Sequence, residues 1–585
     1  MRGLERFREA GVLSEADLAL LETLLEAIGV EEGSPAVRLG LALALRAPRV
    51  GSVCVHLPSV AQAVIPFEGG EARSNDGDGA AEVRDLPWPE PRAWAEALRR
   101  SPAVADPSGS DDPPFPFVQP FLLDQDRLYL RRLWHDEVRV AEHLLHRTTG
   151  GGDRLQIVTG GPGSGKTTRI AQRLLESLER GDDPSRIALA APTGKAAGRM
   201  RESLFQALAR EGASEEVLAR AQSVRSDTLH RLLHLIPGRI QEPPGRGRGV
   251  PFLDFDQVIV DEVSMVSLPL LAHLLDRLSP TTRLSLVGDP DQLASVEAGC
   301  VLSDLVSAGG TAGLEPGSRP VPAPPPGRGL TAVITHLTSS WRFSTDSGIG
   351  RLAAAIREGD ADQTLQELHA GNPDLRWIDP DTREGRAQIE AMKADLQARA
   401  REMRDAAEAG DAERALTTLV SARTLCARRE GRWGIGLWNR AIEEGIGERA
   451  GERTYPGQPL LVTRNDAGLQ LMNGDLGVVV RHPEGLRVAF ERGDGTLRWI
   501  PPVRLPASET VHAMTIHKSQ GSEFDRVEIL LPESESPLLT RELLYTGVTR
   551  ARRSVTLVGS EAALRSGITR RAARATGLRE RLDQG

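Results

Sequence analysis

Residues 155–168 read LQIVTGGPGSGKTT: a short apolar run, a glycine-rich turn, and a Lys-Thr-Thr that opens a helical stretch. The pattern GxxxxGK[ST], directly after a strand and directly before a helix, is the setting a phosphate-binding loop requires. Its glycines let backbone N–H groups converge on phosphate oxygens. The helix N-terminus adds unpaired donors and a favourable dipole. This reading assigns Gly160, Gly161, Pro162, Gly163, Ser164, Gly165, Lys166, Thr167 and Thr168 to the phosphates of ATP. Lys166 supplies a compact cation to the β- and γ-phosphates, and the Thr167 hydroxyl goes to Mg²⁺.

Outward from this stretch the chain alternates between strand and helix patterns. RIALAAP is followed by the helical GKAAGRMRESLFQALAR, and DQVIVDE and TRLSLVGD are further apolar runs. Continuous apolar strands alternating with helices predict a parallel sheet covered on both faces. Two of these strands end in polar groups. VIVDEVSM places Asp261 to face Mg²⁺ and Glu262 to orient or deprotonate an attacking water. Taken alone, an Asp-Glu pair at a strand end is ordinarily just solvated; the phosphate loop is what gives it a task. LVGDPDQLASVEAG offers Asp289 and Gln292 as sensors of the γ-phosphate, or else a plain turn.

A second alternating region follows the Gly/Pro-rich GGTAGLEPGSRPVPAPPPGRG, whose composition cannot build a core and predicts a disordered insertion. AVITHL, TLVSARTLCA and VTLVGS read as strands there, and RELLYTGVTRARR as a helix. PLLVTRN, DLGVVVR, LRVAFER and TLRWIPP crowd together and predict a small β-barrel. Arg342, in LTSSWRF, and Arg550, in YTGVTRARR, are candidates for an arginine delivered across a cleft onto the γ-phosphate. In so arginine-rich a chain, each taken by itself reads more readily as a surface ion pair than as a catalytic group.

The chain holds 72 Lys and Arg residues, yet only Lys166, Lys195, Lys393 and Lys518 are lysines. Its formal net charge of −9 argues against a broad basic face for duplex DNA but permits a local positive groove. Three scattered cysteines suggest neither disulfides nor zinc, and a reducing cytoplasm fits. No apolar run is long enough for a membrane span, and the charged N-terminus is unlike a signal peptide. At 585 residues the chain exceeds one core and should form three or four domains.

The ordered set GGPGSGKTT, APTGKAAGRM, TLHRLL, VIVDEVSM, LVGDPDQLASVEAG, SSWRF, AMTIHKSQGSEFD and YTGVTRARR resembles the RecD family, superfamily-one DNA helicases of the 5′-to-3′ branch. LCARREGRWGIGLWNRAIE and VTRNDAGLQLMNGDLGVV resemble RecD specifically, the subunit that joins RecB and RecC in exodeoxyribonuclease V; VRLGLALALRAPRVGSVCVHL and LYLRRLW extend the likeness more weakly. The resemblance implies an α/β fold with two RecA-like P-loop NTPase domains built on parallel sheets. It also implies a mostly helical N-terminal partner-binding domain (1–118) and an SH3-like β-barrel insertion near 459–505. The two motor domains would span 119–330 and 331–585. Single-stranded and duplex DNA ends, with RecB-like and RecC-like subunits, would be the partners. Lys166, Asp261, Glu262, Gln292, Arg342 and Arg550 would be catalytic. Thr193 and Lys195 on one domain, and Thr515, His517, Lys518, Ser519 and Gln520 on the other, would contact DNA. The family places a duplex-splitting hairpin where residues 236–254 read Gly/Pro/Arg-rich; a flexible basic loop is the alternative. One departure stands out: only TTGGGDRL joins EHLLHR to QIVTGG, where the family carries a glutamine-bearing helix against adenine. A free-standing helicase and a nucleotide-binding scaffold with little turnover remain as rivals. No nuclease centre is assigned to the chain.

Overall fold

The computed structural model describes residues 4–63, 83–107, 119–149, 154–235, 252–309, 330–338, 347–448, 454–466, 468–492, 495–505, 507–533 and 536–584. The expected hairpin at 236–254 falls almost wholly outside these residues. So do the Pro/Gly-rich stretch and Arg342.

The phosphate loop sits in a six-stranded parallel sheet. Its order is Ile334–Leu337, Leu155–Gly160, Arg283–Gly288, Gln257–Val260, Ile187–Ala191 and Arg225–Thr228. Every residue of Leu155–Gly160, Gln257–Val260 and Ile187–Ala191 is buried, as a sheet packed on both faces demands. Helices Lys166–Glu179 and Gly194–Arg210 cover one face, where Ile170, Leu174, Met200 and Leu204 meet Val158 and Leu189. Helices Arg131–Thr148 and Leu268–Arg277 cover the other.

The second lobe is a five-stranded parallel sheet in the order Leu375–Ile378, Ala551–Val558, Phe524–Leu530, Ala422–Cys426 and Ala513–Thr515. An antiparallel five-stranded sheet is inserted between its strands, in the order Leu497–Ile500, Gly485–Glu491, Leu476–His482, Pro459–Val462 and Ser508–Thr510. It runs on past residue 505, and closure into an SH3-like barrel is not seen among the described residues.

Several expectations shift. The first division, expected at 118, falls near 130. Strands Phe121–Asp124 and Arg127–Leu130 complete a four-stranded sheet with Val104–Ala105 and Cys54–His56, capped by helices Pro35–Arg46 and Pro91–Arg99. LYLRRLWHDEVRVAEHLLHR, whose pattern reads as one amphipathic helix, is strand through Leu130, and its helix begins at Arg131. The strand in AVITHL belongs to the first sheet, paired beside the phosphate-loop strand, so the second division lies beyond 337 rather than at 331. TLVSARTLCA is helix to Ser421 and strand from Ala422. The chain ends in helix Leu578–Gln584, whose Leu578 and Leu582 return to the first lobe's core.

Candidate functional site

In parallel sheets, ligands bind off the carboxyl ends of the strands. Four strands of the first lobe end there in the polar groups singled out above. After Gly160 the loop turns through Gly163 and Gly165, at φ +71° and +89°, which a β-carbon would strain. Gly165 caps the helix that begins at Lys166. The Lys166 ammonium folds back onto the Gly160 and Gly161 carbonyls, at 2.6 and 2.9 Å. Ser164 Oγ is buried without a hydrogen-bond partner. A polar atom left without a bond is costly, and a loop whose lysine bonds only its own carbonyls has donors to give. These residues fit a phosphate chain. Thr167 lies half-buried in the helix's first turn and Thr168 is exposed.

Asp261 follows Gln257–Val260, its N–H bonded to the Ala190 carbonyl at 2.9 Å. Burial, and then the neighbouring Glu262 charge, raise its carboxyl to about 6. Glu262 adopts φ +52°, an uncommon conformation for a side-chain-bearing residue and a form of strain that clusters at functional sites. Paired carboxylates that resist sharing negative charge suit a divalent cation. Asp261 and Thr167 would hold Mg²⁺, as their residue types predict.

Asp289 is 1% exposed. Its Oδ2 accepts from Gln292 Nε2 at 2.9 Å and from the Tyr545 hydroxyl at 3.1 Å, and its Oδ1 from the Asp291 N–H. Gln292 Oε1 accepts from Arg550 Nη2 at 3.0 Å. Arg550 is not on the helix Arg541–Val548, as expected, but at the turn between it and the strand Ala551–Val558. That placement lets the arginine cross from the second lobe to the first. Leu293 N–H donates to Thr546 Oγ1, and Gln520 Nε2 donates to the Leu293 carbonyl, both at 2.9 Å.

The other expected contacts divide. Thr193 caps helix Gly194–Arg210 by accepting from Ala196 N–H. Lys195 Nζ donates across the cleft to Ser522 Oγ at 2.7 Å, and Arg199 Nη1 to the Gly521 carbonyl at 2.8 Å. Met472, in the connection between strands Pro459–Val462 and Leu476–His482 of the inserted sheet, lies so near Gly194 that a β-carbon there would come within 2.5 Å of its Cγ. Thr515 Oγ1 accepts from the Lys518 N–H, and Lys518 Nζ pairs with Glu509. His517 has its pKa lowered by burial and by the Arg574 charge. Ser519 is fully buried and its hydroxyl donates to the Ile516 carbonyl, so it braces the turn. Gln520 is spent on Leu293. Lys393 lies on the long helix Arg383–Glu408. Tyr545, Thr546, Arg199, Ser522 and Met472 were not singled out by sequence. All five nevertheless lie inside quoted stretches: Tyr545 and Thr546 in YTGVTRARR, Arg199 in APTGKAAGRM, Ser522 in AMTIHKSQGSEFD and Met472 in VTRNDAGLQLMNGDLGVV.

No helix among the described residues is long and apolar enough to cross a membrane. Family models match at residues 9–129 (RecBCD enzyme subunit RecD, N-terminal domain), 149–298 (AAA domain) and 510–558 (UvrD-like helicase C-terminal domain). The RecBCD enzyme subunit RecD of Mycolicibacterium smegmatis is 41% identical over 99% of both chains. That of Mycobacterium tuberculosis is 40% identical over 98% of this chain and 96% of its own. The ATP-dependent RecD2 DNA helicase of Deinococcus radiodurans is 30% identical over 74% of this chain but 50% of its own. With likeness of that depth running end to end, through the N-terminal domain as well as both lobes, the chain belongs to the RecD family.

Proposed function

We propose that the chain is the ATP-driven, 5′-to-3′ DNA helicase subunit of a RecBCD-like helicase–nuclease. It would act with RecB-like and RecC-like subunits at duplex DNA ends, in double-strand-break repair and recombination in the cytoplasm. The observation that carries this reading is the Asp289–Gln292–Arg550 chain, which joins the strand end beside the phosphate loop to the opposite lobe. ATP hydrolysis supplies the free energy when the nucleotide is bound. Lys166 would orient the phosphates, Thr167 and Asp261 would hold Mg²⁺, and Glu262 would take the proton of the attacking water. Arg550 would answer charge on the transferring phosphoryl group, making hydrolysis depend on lobe closure. Arg342, outside the described residues, keeps the same expected role from sequence.

Thr193, Lys195, Thr515, His517 and Lys518 would track the DNA backbone. Lys195 and Lys518 now bond protein groups that phosphates would replace. The inserted sheet, read as SH3-like, would guide the strand past Met472. The free-standing reading is less favoured, because the likeness spans the N-terminal domain and only half of the RecD2 helicase.

Forked DNA carrying either a 5′ or a 3′ single-stranded tail decides the polarity. The chain with its partners should unwind the 5′-tailed fork through its own motor, and Lys166→Ala should abolish that activity while the complex still assembles. Loss of assembly, or 5′-tail unwinding that survives Lys166→Ala, would count against the proposal. A mass measurement of the purified chain's complex separates subunit from free-standing enzyme.

A further inference from the structure

We infer that Tyr545 is a positioning residue for ATP hydrolysis: from the second lobe it holds Asp289, and through Asp289 and Gln292 it aims Arg550. The inference rests on the helicase reading above. Tyr545 lies on helix Arg541–Val548 and is 3% exposed. Its hydroxyl donates to Asp289 Oδ2 at 3.1 Å. The same oxygen accepts Gln292 Nε2 at 2.9 Å. A carboxylate accepts only, so it fixes the amide group of Gln292 with nitrogen inward and oxygen outward. The outward oxygen is the one that meets Arg550 at 3.0 Å.

The phenol has a second neighbour. A β-carbon on Gly161 would lie 2.9 Å from the Tyr545 oxygen, so the hydroxyl rests against the phosphate loop itself. Gly161 is also a carbonyl on which Lys166 is stowed. One side chain of the second lobe therefore touches the loop that would grip phosphate and the carboxylate that orients the arginine's partner. Burial, with the Asp289 and Asp291 charges, holds the phenol's pKa well above its ordinary value, so it stays a donor. The helix that carries Tyr545 also carries Thr546, bonded to Leu293 N–H, so tyrosine and loop 289–293 shift together.

Tyr545→Phe keeps the ring and removes the donor. In the complex, its kcat for DNA-stimulated ATP hydrolysis should fall about tenfold or more, with KM for ATP within about twofold. Because Tyr545 acts through Gln292, Tyr545→Phe with Gln292→Ala should be no slower than Gln292→Ala alone. Independently of turnover, amide hydrogen exchange of the Asp291 to Leu293 segment should speed up in Tyr545→Phe at unchanged melting temperature. Unchanged kcat with unchanged exchange would overturn the inference, as would a double variant whose loss is the product of the two single losses. Should the unmutated complex fail to hydrolyse ATP, the helicase reading falls, and the exchange measurement alone decides whether Tyr545 orders the loop.

Discussion

At the scale of single residues, Lys195 shows how the protein engages its own candidate phosphate contacts. Its ammonium is bonded to Ser522, and burial lowers its pKa to about 7. Arg199 and Arg423 push the same way and Asp475 opposes them. The unfolded chain keeps a lysine near ~10.4. Between about 7 and that value the unfolded state binds more protons, so this group's contribution to folding stability rises with pH; below about 7 both states are protonated and the contribution is flat. A DNA phosphate needs the ammonium, so binding takes up a proton above pH 7 and single-strand affinity should weaken from pH 7 to 9. Lys195→Ala should remove most of that pH dependence and reduce the salt slope by ~0.7, the share of one single-strand phosphate contact. Anisotropy titrations at two pH values and several salt concentrations measure both. An identical slope in Lys195→Ala would show that the lysine never meets the backbone.

At the scale of elements, the strands and helices that carry local chemistry were legible. The helix over residues 194–210 follows its sequence pattern to the residue, because a Thr cap and an apolar stripe are both local signals. Elements whose place is set by distant partners were not. AVITHL shows a good strand pattern but nothing that tells which sheet it joins. TLVSARTLCA is β-branched and apolar enough for strand throughout, yet Asp411 caps a helix through Ser421 that packs on the inserted sheet. The same holds for the site: Lys166 and Asp261 announce themselves by spacing, whereas Tyr545 matters only because its lobe folds over Asp289. Least legible was the terminal helix. Glu137, 0% exposed, accepts from nearby Tyr129 Oη at 3.0 Å and, across some 440 residues of chain, from Thr576 Oγ1, Gly577 N–H and Arg581 Nε at 2.8–3.2 Å. Breaking a buried ion pair from one side typically costs ~3–5 kcal/mol. Glu137→Ala should therefore lower the melting temperature by several degrees and free the C-terminal helix to early proteolysis. Glu137→Gln, which still accepts, should lose less. Limited proteolysis with calorimetry reads both, and an unmoved C-terminal cleavage rate would show that Leu578 and Leu582 alone dock the tail.

At the scale of the whole molecule, the described residues of the two lobes meet through side-chain hydrogen bonds, six of which line the cleft. These are Lys195–Ser522, Arg199–Gly521, Leu293–Thr546, Gln520–Leu293, Gln292–Arg550 and Asp289–Tyr545. At about 1 kcal/mol net each, they are strong enough to define one position and weak enough for nucleotide or DNA binding to exchange for another. If the lobes must separate on each cycle, tying them together should stop movement along DNA without unfolding either sheet. The Leu293–Thr546 contact suits a tie, since a 2.9 Å bond between a main-chain nitrogen and a β-hydroxyl keeps the two backbones close. A disulfide asks for roughly 4.4–6.8 Å between Cα atoms. Leu293→Cys with Thr546→Cys should therefore unwind DNA when reduced, stop when oxidised and resume on adding thiol. Each single variant should be indifferent to oxidant, because the native Cys54 and Cys426 are buried and Cys300 is partly so. Oxidised double variant that forms the bond and still unwinds at the reduced rate would mean that these two loops travel as one body, and that the stroke lies elsewhere in the chain.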